Sequence, residues 1–133
     1  MIGGGEGAFI GAVHRMAARL DGRYQLVAGV FSSDAEKTRR SATALGVDPA
    51  RAYPSVDAML KAEAARPDGI EVVSVVTPNH MHYPQSAACL EAGLDVICDK
   101  PLTPISPMPK NWCSSRRRRS AFWALLSTTP ATR

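Results

Sequence analysis

The stretch Ile2-Gly3-Gly4-Gly5-Glu6-Gly7-Ala8-Phe9-Ile10-Gly11 sets a glycine cluster between a short apolar start and a helical pattern, a spacing suited to cradling a pyrophosphate. In Gly3-x-Gly5-x-x-Ala8 the first glycine permits a tight turn and the second lets a ligand approach the backbone. The third small residue lets helix pack on strand. A helix opening at Ala8 would aim its free N–H groups at phosphates, so a dinucleotide would lie across Gly3 to Ile10, with Phe9 and Ile10 in the first turn. The competing reading of the three adjacent glycines is a flexible leader. Against it stand two more polar groups, Thr77-Pro78-Asn79-His80-Met81-His82 and Asp99-Lys100-Pro101, each directly after an apolar run. Polar residues at the carboxyl ends of three parallel strands, after Ile2, Val76 and Cys98, converge where open α/β sheets bind ligands.

A second apolar run ends in Phe31-Ser32-Ser33-Asp34, followed by Lys37, Arg39 and Arg40. This is where a dinucleotide-binding chain holds the adenine-side ribose. Hydroxyls of Ser32 and Ser33 with nearby Lys37 and Arg40 suit a 2′-phosphate, as in NADP, whereas Asp34 suits the ribose hydroxyls of NAD. The plainer reading is that Ser33 caps a helix and the cations form a solvated face.

The elements that must position these groups follow from periodicity. Phe9, Ile10, Val13, Met16, Ala17 and Leu20 recur at three- and four-residue spacing, which predicts an amphipathic helix from Ala8 to Leu20 with Arg15 and Arg19 outward. Asp21-Gly22 ends it. Tyr24 to Phe31 reads as a buried parallel strand. Ser33-x-x-Glu36 matches a capping box for a helix through Leu45, closed by Gly46. Ser55 is the expected cap of a helix from Val56 to about Ala65, with Met59 and Leu60 inward. Ile70 to Val76 is β-branched almost throughout and is the strongest strand. Tyr83 to Ala92 reads as a helix and Leu94 to Cys98 as a fifth strand. The first strand is nearly absent, because only Met1 and Ile2 precede Gly3. The expected architecture is α/β, a doubly wound parallel-sheet Rossmann domain over residues 1–103, followed by an irregular basic tail over 104–133.

A chain of 133 residues has room for one domain with its own core. No apolar run approaches the roughly 20 residues of a membrane span, and no secretory signal is visible. Cys89, Cys98 and Cys113 have neither metal-ligand nor redox spacing, which predicts free or buried thiols in a reducing cytoplasm. Net charge is +4, unevenly spread. Through Asp99, nine basic and twelve acidic residues leave −3; from Lys100 onward seven basic residues and no acid give +7. The run Arg116-Arg117-Arg118-Arg119 has no aromatic platform or binding fold around it, so a nucleic-acid partner is not supported.

Three motifs together resemble the N-terminal domain of the Gfo/Idh/MocA oxidoreductases, NAD(P)-dependent enzymes acting mostly on sugars and cyclitols. They are the glycine stretch with His14-Arg15, Thr77-Pro78-Asn79-His80-x-His82, and Asp99-Lys100-Pro101-Leu102. The resemblance covers about residues 1 to 103. It implies that Thr77, Pro78, Asn79 and His82 line the ribose and nicotinamide side of the cofactor, and that Asp99, Lys100 and Pro101 match the family's Glu-Lys-Pro motif. In that motif the lysine bonds the substrate hydroxyl and helps proton transfer, which makes Lys100 the catalytic candidate; the Lys-Pro bond is often cis. Asp99 in place of Glu keeps the charge and shortens its reach. The cofactor implied is NAD or NADP, the substrate a small polyol or sugar, and full-length relatives leave room for a homo-oligomer. The family's substrate domain, with its Asp/His pair, has no counterpart here. Pro104-Ile105-Ser106-Pro107-Met108-Pro109 and the aperiodic residues after it look like an altered reading frame. The expected chain therefore binds nucleotide without turnover of its own, the alternative to a hydride-transferring enzyme being a non-catalytic nucleotide-binding module.

Overall fold

The computed structural model describes residues 1–20 and 22–102. The tail from 104 to 133, with Cys113 and the arginine run, lies outside the described residues. Three parallel strands form the sheet: β1 (Ile2–Gly3), β2 (Val72–Val76) and β3 (Asp95–Cys98). Around them lie α1 (Phe9–Arg19), α2 (Ala35–Ala44), α3 (Val56–Ala64) and α4 (Asn79–Glu91), with a 3-10 turn at Pro49–Arg51.

Register explains how the pieces come together. β1 pairs with β2 at Ile2↔Val75 and Gly3↔Val76, and β2 pairs with β3 from Val72↔Asp95 to Val75↔Cys98. On the other side of β1, single parallel bridges join Ile2 to Val30 and Gly29 to Ala52. The chain thus leaves β1 toward one edge and returns at β2 on the opposite side. The glycine loop sits at this reversal, the position where doubly wound sheets open a ligand crevice.

β1 is as short as the sequence implies, yet it is central and sealed: Met1 and Ile2 are buried, and Met1 O and Gly3 N bond Val30 N and Val30 O. The Tyr24 to Phe31 segment departs from expectation. Only Gly29 and Val30 make bridges, and Tyr24 is 49% exposed, because two residues of β1 offer no ladder to pair with a longer strand. Hydrophobic residues pack in two clusters, one with Ile2, Tyr53, Met59, Val73, Val75 and Cys89. The other holds Met1, Phe31, Ala42, Val47 and Val76.

Several boundaries follow local chemistry. Ser55 caps α3, its Oγ accepting from Ala58 N at 3.2 Å. α2 is capped by Asp34 rather than Ser33: Asp34 Oδ1 accepts from Lys37 N at 2.8 Å. Either residue type caps well, and the carboxylate also suits the helix dipole. α4 begins at Asn79, four residues ahead of the expected start, since nothing from Asn79 to Met81 opposes helix once Pro78 has set the entry.

The helix after the glycine loop is inverted relative to its sequence pattern. Phe9, Val13, Met16 and Leu20 are exposed, at 83%, 42%, 68% and 82%. Gly11, His14 and Arg15 instead face the sheet: Arg15 Nη1 donates to Gly4 O at 2.6 Å, and His14 Nδ1 lies 3.0 Å from Ser74 Oγ. Arg15 is therefore not an outer-face residue. The helix lies close to the loop, with Gly11 at the closest approach, and of its apolar pattern Ile10 packs on the Met1, Phe31 and Val76 cluster.

The Met1 amine donates to Ala28 O at 2.9 Å inside the core. Burial lowers its pKa from 8.0 to about 6, against weaker pulls upward from Cys89 and Glu63. Between those values the unfolded chain binds more protons than the folded one, so stability rises with pH from about 6 to 8 and is lost on acidification through that window. Two pH units correspond to about 3 kcal/mol. Guanidinium midpoints at pH 6.0 and 8.5 check this; a flat profile would place the amine in solvent.

Candidate dinucleotide site

Each glycine of the loop meets a different constraint. A Cβ on Gly3 would lie 2.8 Å from Val76 O, and Gly3 adopts φ +80. On Gly5 it would lie 2.7 Å from both Phe31 O and Ser41 Oγ, so the fold alone already requires this glycine to be bare. The close approach of helix to loop falls on Gly4 and Gly11, where a Cβ on Gly11 would stand 2.4 Å from Gly4 Cα. Sequence spacing had assigned that contact to Ala8, which is half-buried and serves as the α1 N-cap position. Gly7 differs from all of these: φ is +79 and nothing lies within 4 Å of a built Cβ.

Backbone donors sort in the same way. Gly5 N bonds Phe31 O, Glu6 N bonds Ser41 Oγ, and Ala8 N bonds Gly5 O. The first-turn amides of Phe9, Ile10 and Gly11 have no intrahelical acceptor by geometry. The N-cap residue Ala8 offers α1 no side-chain cap, and no acid stands in its first turn. An open glycine, uncapped amides and the positive end of a helix dipole form a cradle matched to a diphosphate.

Where the sequence predicts the ribose, Ser32 is tied back: its N bonds Thr38 Oγ1 at 3.0 Å, its carbonyl accepts from the same hydroxyl, and its Oγ accepts from Asp34 N at 3.1 Å. Ser33 is exposed and Lys37 half-buried. Arg40 lies 3.7 Å from Glu6, an exposed pair that ties α2 to the glycine loop and contributes little to stability. Asp34 keeps one oxygen outside its capping bond.

On the far side of the switch point, Pro78 and Asn79 are exposed at the mouth of α4. Thr77 Oγ1 donates to Gln85 Oε1 at 2.6 Å, a partner that sequence reading missed, although the i to i+8 separation across a helix start offered a cue. His82 is 1% exposed, on the buried face of α4 with Ser86 and Cys89. Its ring nitrogens lie 2.7 Å from Thr77 O and 2.7 Å from Pro101 O, so it sits beneath the loop and not on its surface. Asp99 N bonds Val75 O, Asp99 Oδ1 accepts from Lys100 N, and the Lys100–Pro101 peptide is cis. Lys100 is exposed. His14, absent from the expected site, stands between the sheet and this segment. Burial pushes its pKa down, with Asp99 pulling it partway back.

Fold and loop together define an NAD-binding domain of the Rossmann type. The chain belongs to the Gfo/Idh/MocA oxidoreductase family: the model for its NAD-binding Rossmann fold matches residues 1–115. The uncharacterized oxidoreductase YfiI of Bacillus subtilis is 50% identical over 103 residues, 77% of this chain and 26% of that one. An inositol dehydrogenase homolog from Azotobacter vinelandii, solved with NAD+, is 50% identical with a TM-score of 0.76, covering 77% of this chain and 26% of that one. The same homolog has also been solved with NADH and myo-inositol. An oxidoreductase from Pseudomonas syringae gives a TM-score of 0.88 at 39% identity, over 95% of this chain and 35% of that one. The chain thus spans about a quarter to a third of the length of these relatives. Among the described residues no helix is long and apolar enough to cross a membrane, and no cluster of His, Cys, Asp or Glu is arranged for a metal.

Proposed function

We propose that this chain supplies the cofactor half of a hydride-transfer reaction on a cyclitol- or sugar-type hydroxyl, with the diphosphate of NAD or NADP on Gly7 and the first turn of α1. The observation that carries it is the pairing of an open Gly7 with uncapped α1 amides at the sheet's switch point. Ser32, Ser33 and Lys37 bound the adenosine ribose, and Thr77, Pro78 and Asn79 bound the nicotinamide side. Gly3, Gly5 and Ala8 shape the loop from below, while Phe9 and Ile10 supply amides. Bound NAD contributes the hydride-accepting ring. Lys100, exposed at the end of β3, is the residue proposed to bond the substrate hydroxyl and move its proton, with Asp99 and Pro101 fixing its backbone. The substrate class rests on the inositol dehydrogenase homolog crystallised with myo-inositol. Free thiols at Cys89 and Cys98 suit a reducing cytoplasm.

Titration calorimetry with NADH tests the site. Gly7→Val is expected to leave the fold intact apart from roughly 1–2 kcal/mol of backbone strain and to weaken NADH binding at least about tenfold. Unchanged affinity in the folded variant would remove the diphosphate from this loop. Comparing NAD with NADP tests the ribose end. With Ser33, Lys37 and Arg40 at that end, NADP is expected to bind at least as well; a preference for NAD above about tenfold, roughly 1.4 kcal/mol, would assign the ribose to Asp34.

A further inference from the structure

Among the described residues His82 faces two acceptors and no donor. Nε2 lies 2.7 Å from Thr77 O and Nδ1 lies 2.7 Å from Pro101 O, with the residue 1% exposed. A carbonyl oxygen only accepts, and a neutral imidazole carries one N–H. In either neutral tautomer a ring lone pair would point at a carbonyl oxygen at hydrogen-bond distance, with no space for a water between them. Both contacts are bonds only when both nitrogens carry hydrogen.

We propose that His82 is held as an imidazolium, and that it acts as a positioning residue clamping the segment after β2 to the segment after β3. Its two bonds are charge-assisted, which offsets part of the cost of burying the ring. The charged residues on the segments it joins are Asp99 and Lys100, both beside Pro101; Val76 to Asn79 carries none. On its own helix the neighbouring titratable residues are His80, exposed, and Tyr83, half-buried. Thr77 leads into Pro78-Asn79, and Pro101 follows Lys100 directly, so one side chain bridges the two loops beyond the backbone bond from Asp99 N to Val75 O. The value of that separation for catalysis rests on the proposed function; the charge and the clamp do not.

The chain has only three histidines, His14, His80 and His82, so ring nitrogens can be assigned in ¹⁵N-histidine-labelled protein by comparison with His82→Gln. Two-bond ¹H–¹⁵N correlation at pH 7 is expected to show both His82 nitrogens protonated. One unprotonated nitrogen overturns the proposal. The single amide nitrogen of a glutamine cannot reach two carbonyls that face opposite nitrogens of a ring, so in a folded His82→Gln chain the amides of Asp99 and Lys100 are expected to exchange about tenfold faster while those of β2 keep their protection. Equal change in β2 and in Asp99 and Lys100, or none, removes the clamp. If His82→Gln does not fold, the labelled parent chain still decides the charge, with His80→Gln and His14→Gln completing the assignment. Neither readout involves NAD, so loss of the cofactor reading and loss of this one are separable.

Discussion

Gly11→Val is expected to destabilise the domain by about 3 kcal/mol or more, near the upper end of overpacking costs. The built Cβ stands 2.4 Å from Gly4 Cα and 2.6 Å from Gly4 O, backbone atoms that no rotamer change can move. Either α1 lifts away, losing the bond from Arg15 to Gly4 O, or the loop shifts and drags Gly3 off β2. Domains of this size have about 5–15 kcal/mol in total. Chemical denaturation of Gly11→Val beside Gly7→Val is the measurement. The first should move the midpoint far more than the second, although Gly7, not the helical Gly11, is the one with positive φ. Equal shifts would mean that the helix does not approach the loop as closely as described.

The second large effect lies away from the cofactor. Arg51, Tyr53 and Glu63 form a buried polar group: Arg51 Nε donates to Glu63 Oε1 at 3.0 Å, Arg51 Nη2 bonds Glu63 Oε2, and Tyr53 Oη donates to Glu63 Oε1 at 2.7 Å. Ile70 N also donates to Glu63 Oε2, and Arg51 reaches Asp68, so the cluster pins α3 to the turn entering β2. Glu63→Ala leaves Arg51, with its side chain 8% exposed, short of its main partner, and should cost about 3–5 kcal/mol. Burial pushes the Glu63 pKa up, but the bonds from Arg51 and Tyr53 outweigh it and hold the carboxyl below its usual 4.5. A depressed carboxylate contributes stability that is present above 4.5 and is lost as pH falls through the folded value. Acid unfolding of the parent should therefore steepen below pH 4.5, and Glu63→Gln should flatten that limb. A Gln variant with the parent's acid profile would assign the titration to other carboxylates.

Much of the architecture was legible because its causes are local. The glycine cluster, the β-branched run that holds Val72–Val76, the Ser55 cap and the brief first strand each depend on residues within a few positions, so composition and spacing were enough. Three motifs placed after three apolar runs also located the switch point before any strand order was known. Local causes were less decisive where two neighbours could do one job: Ser33 and Asp34 both suit an N-cap, and the carboxylate took it.

The structure decided what depends on the neighbour across the gap. Spacing gave Ala8 the close helix contact and Gly5 the ligand-facing role, but a Cβ on Gly5 meets Phe31 and Ser41, while the tight contact belongs to Gly4 and Gly11. Periodicity gave α1 an apolar inner stripe, yet Phe9, Val13, Met16 and Leu20 of it are exposed, and the sheet side holds Gly11, His14 and Arg15 beside Ile10. His82 in a motif looked like a ligand-lining residue until both of its nitrogens were found against carbonyls from two different segments. The sequence by itself determined the four helices, the strand Val72–Val76 and the glycine turn, though not the Tyr24 to Phe31 segment, because hydrogen-bonding propensity and turn chemistry act over a few residues. Which face turns inward and which glycine must stay bare were decided by the tertiary structure, because steric exclusion and polar satisfaction depend on atoms that sequence separates by tens of residues.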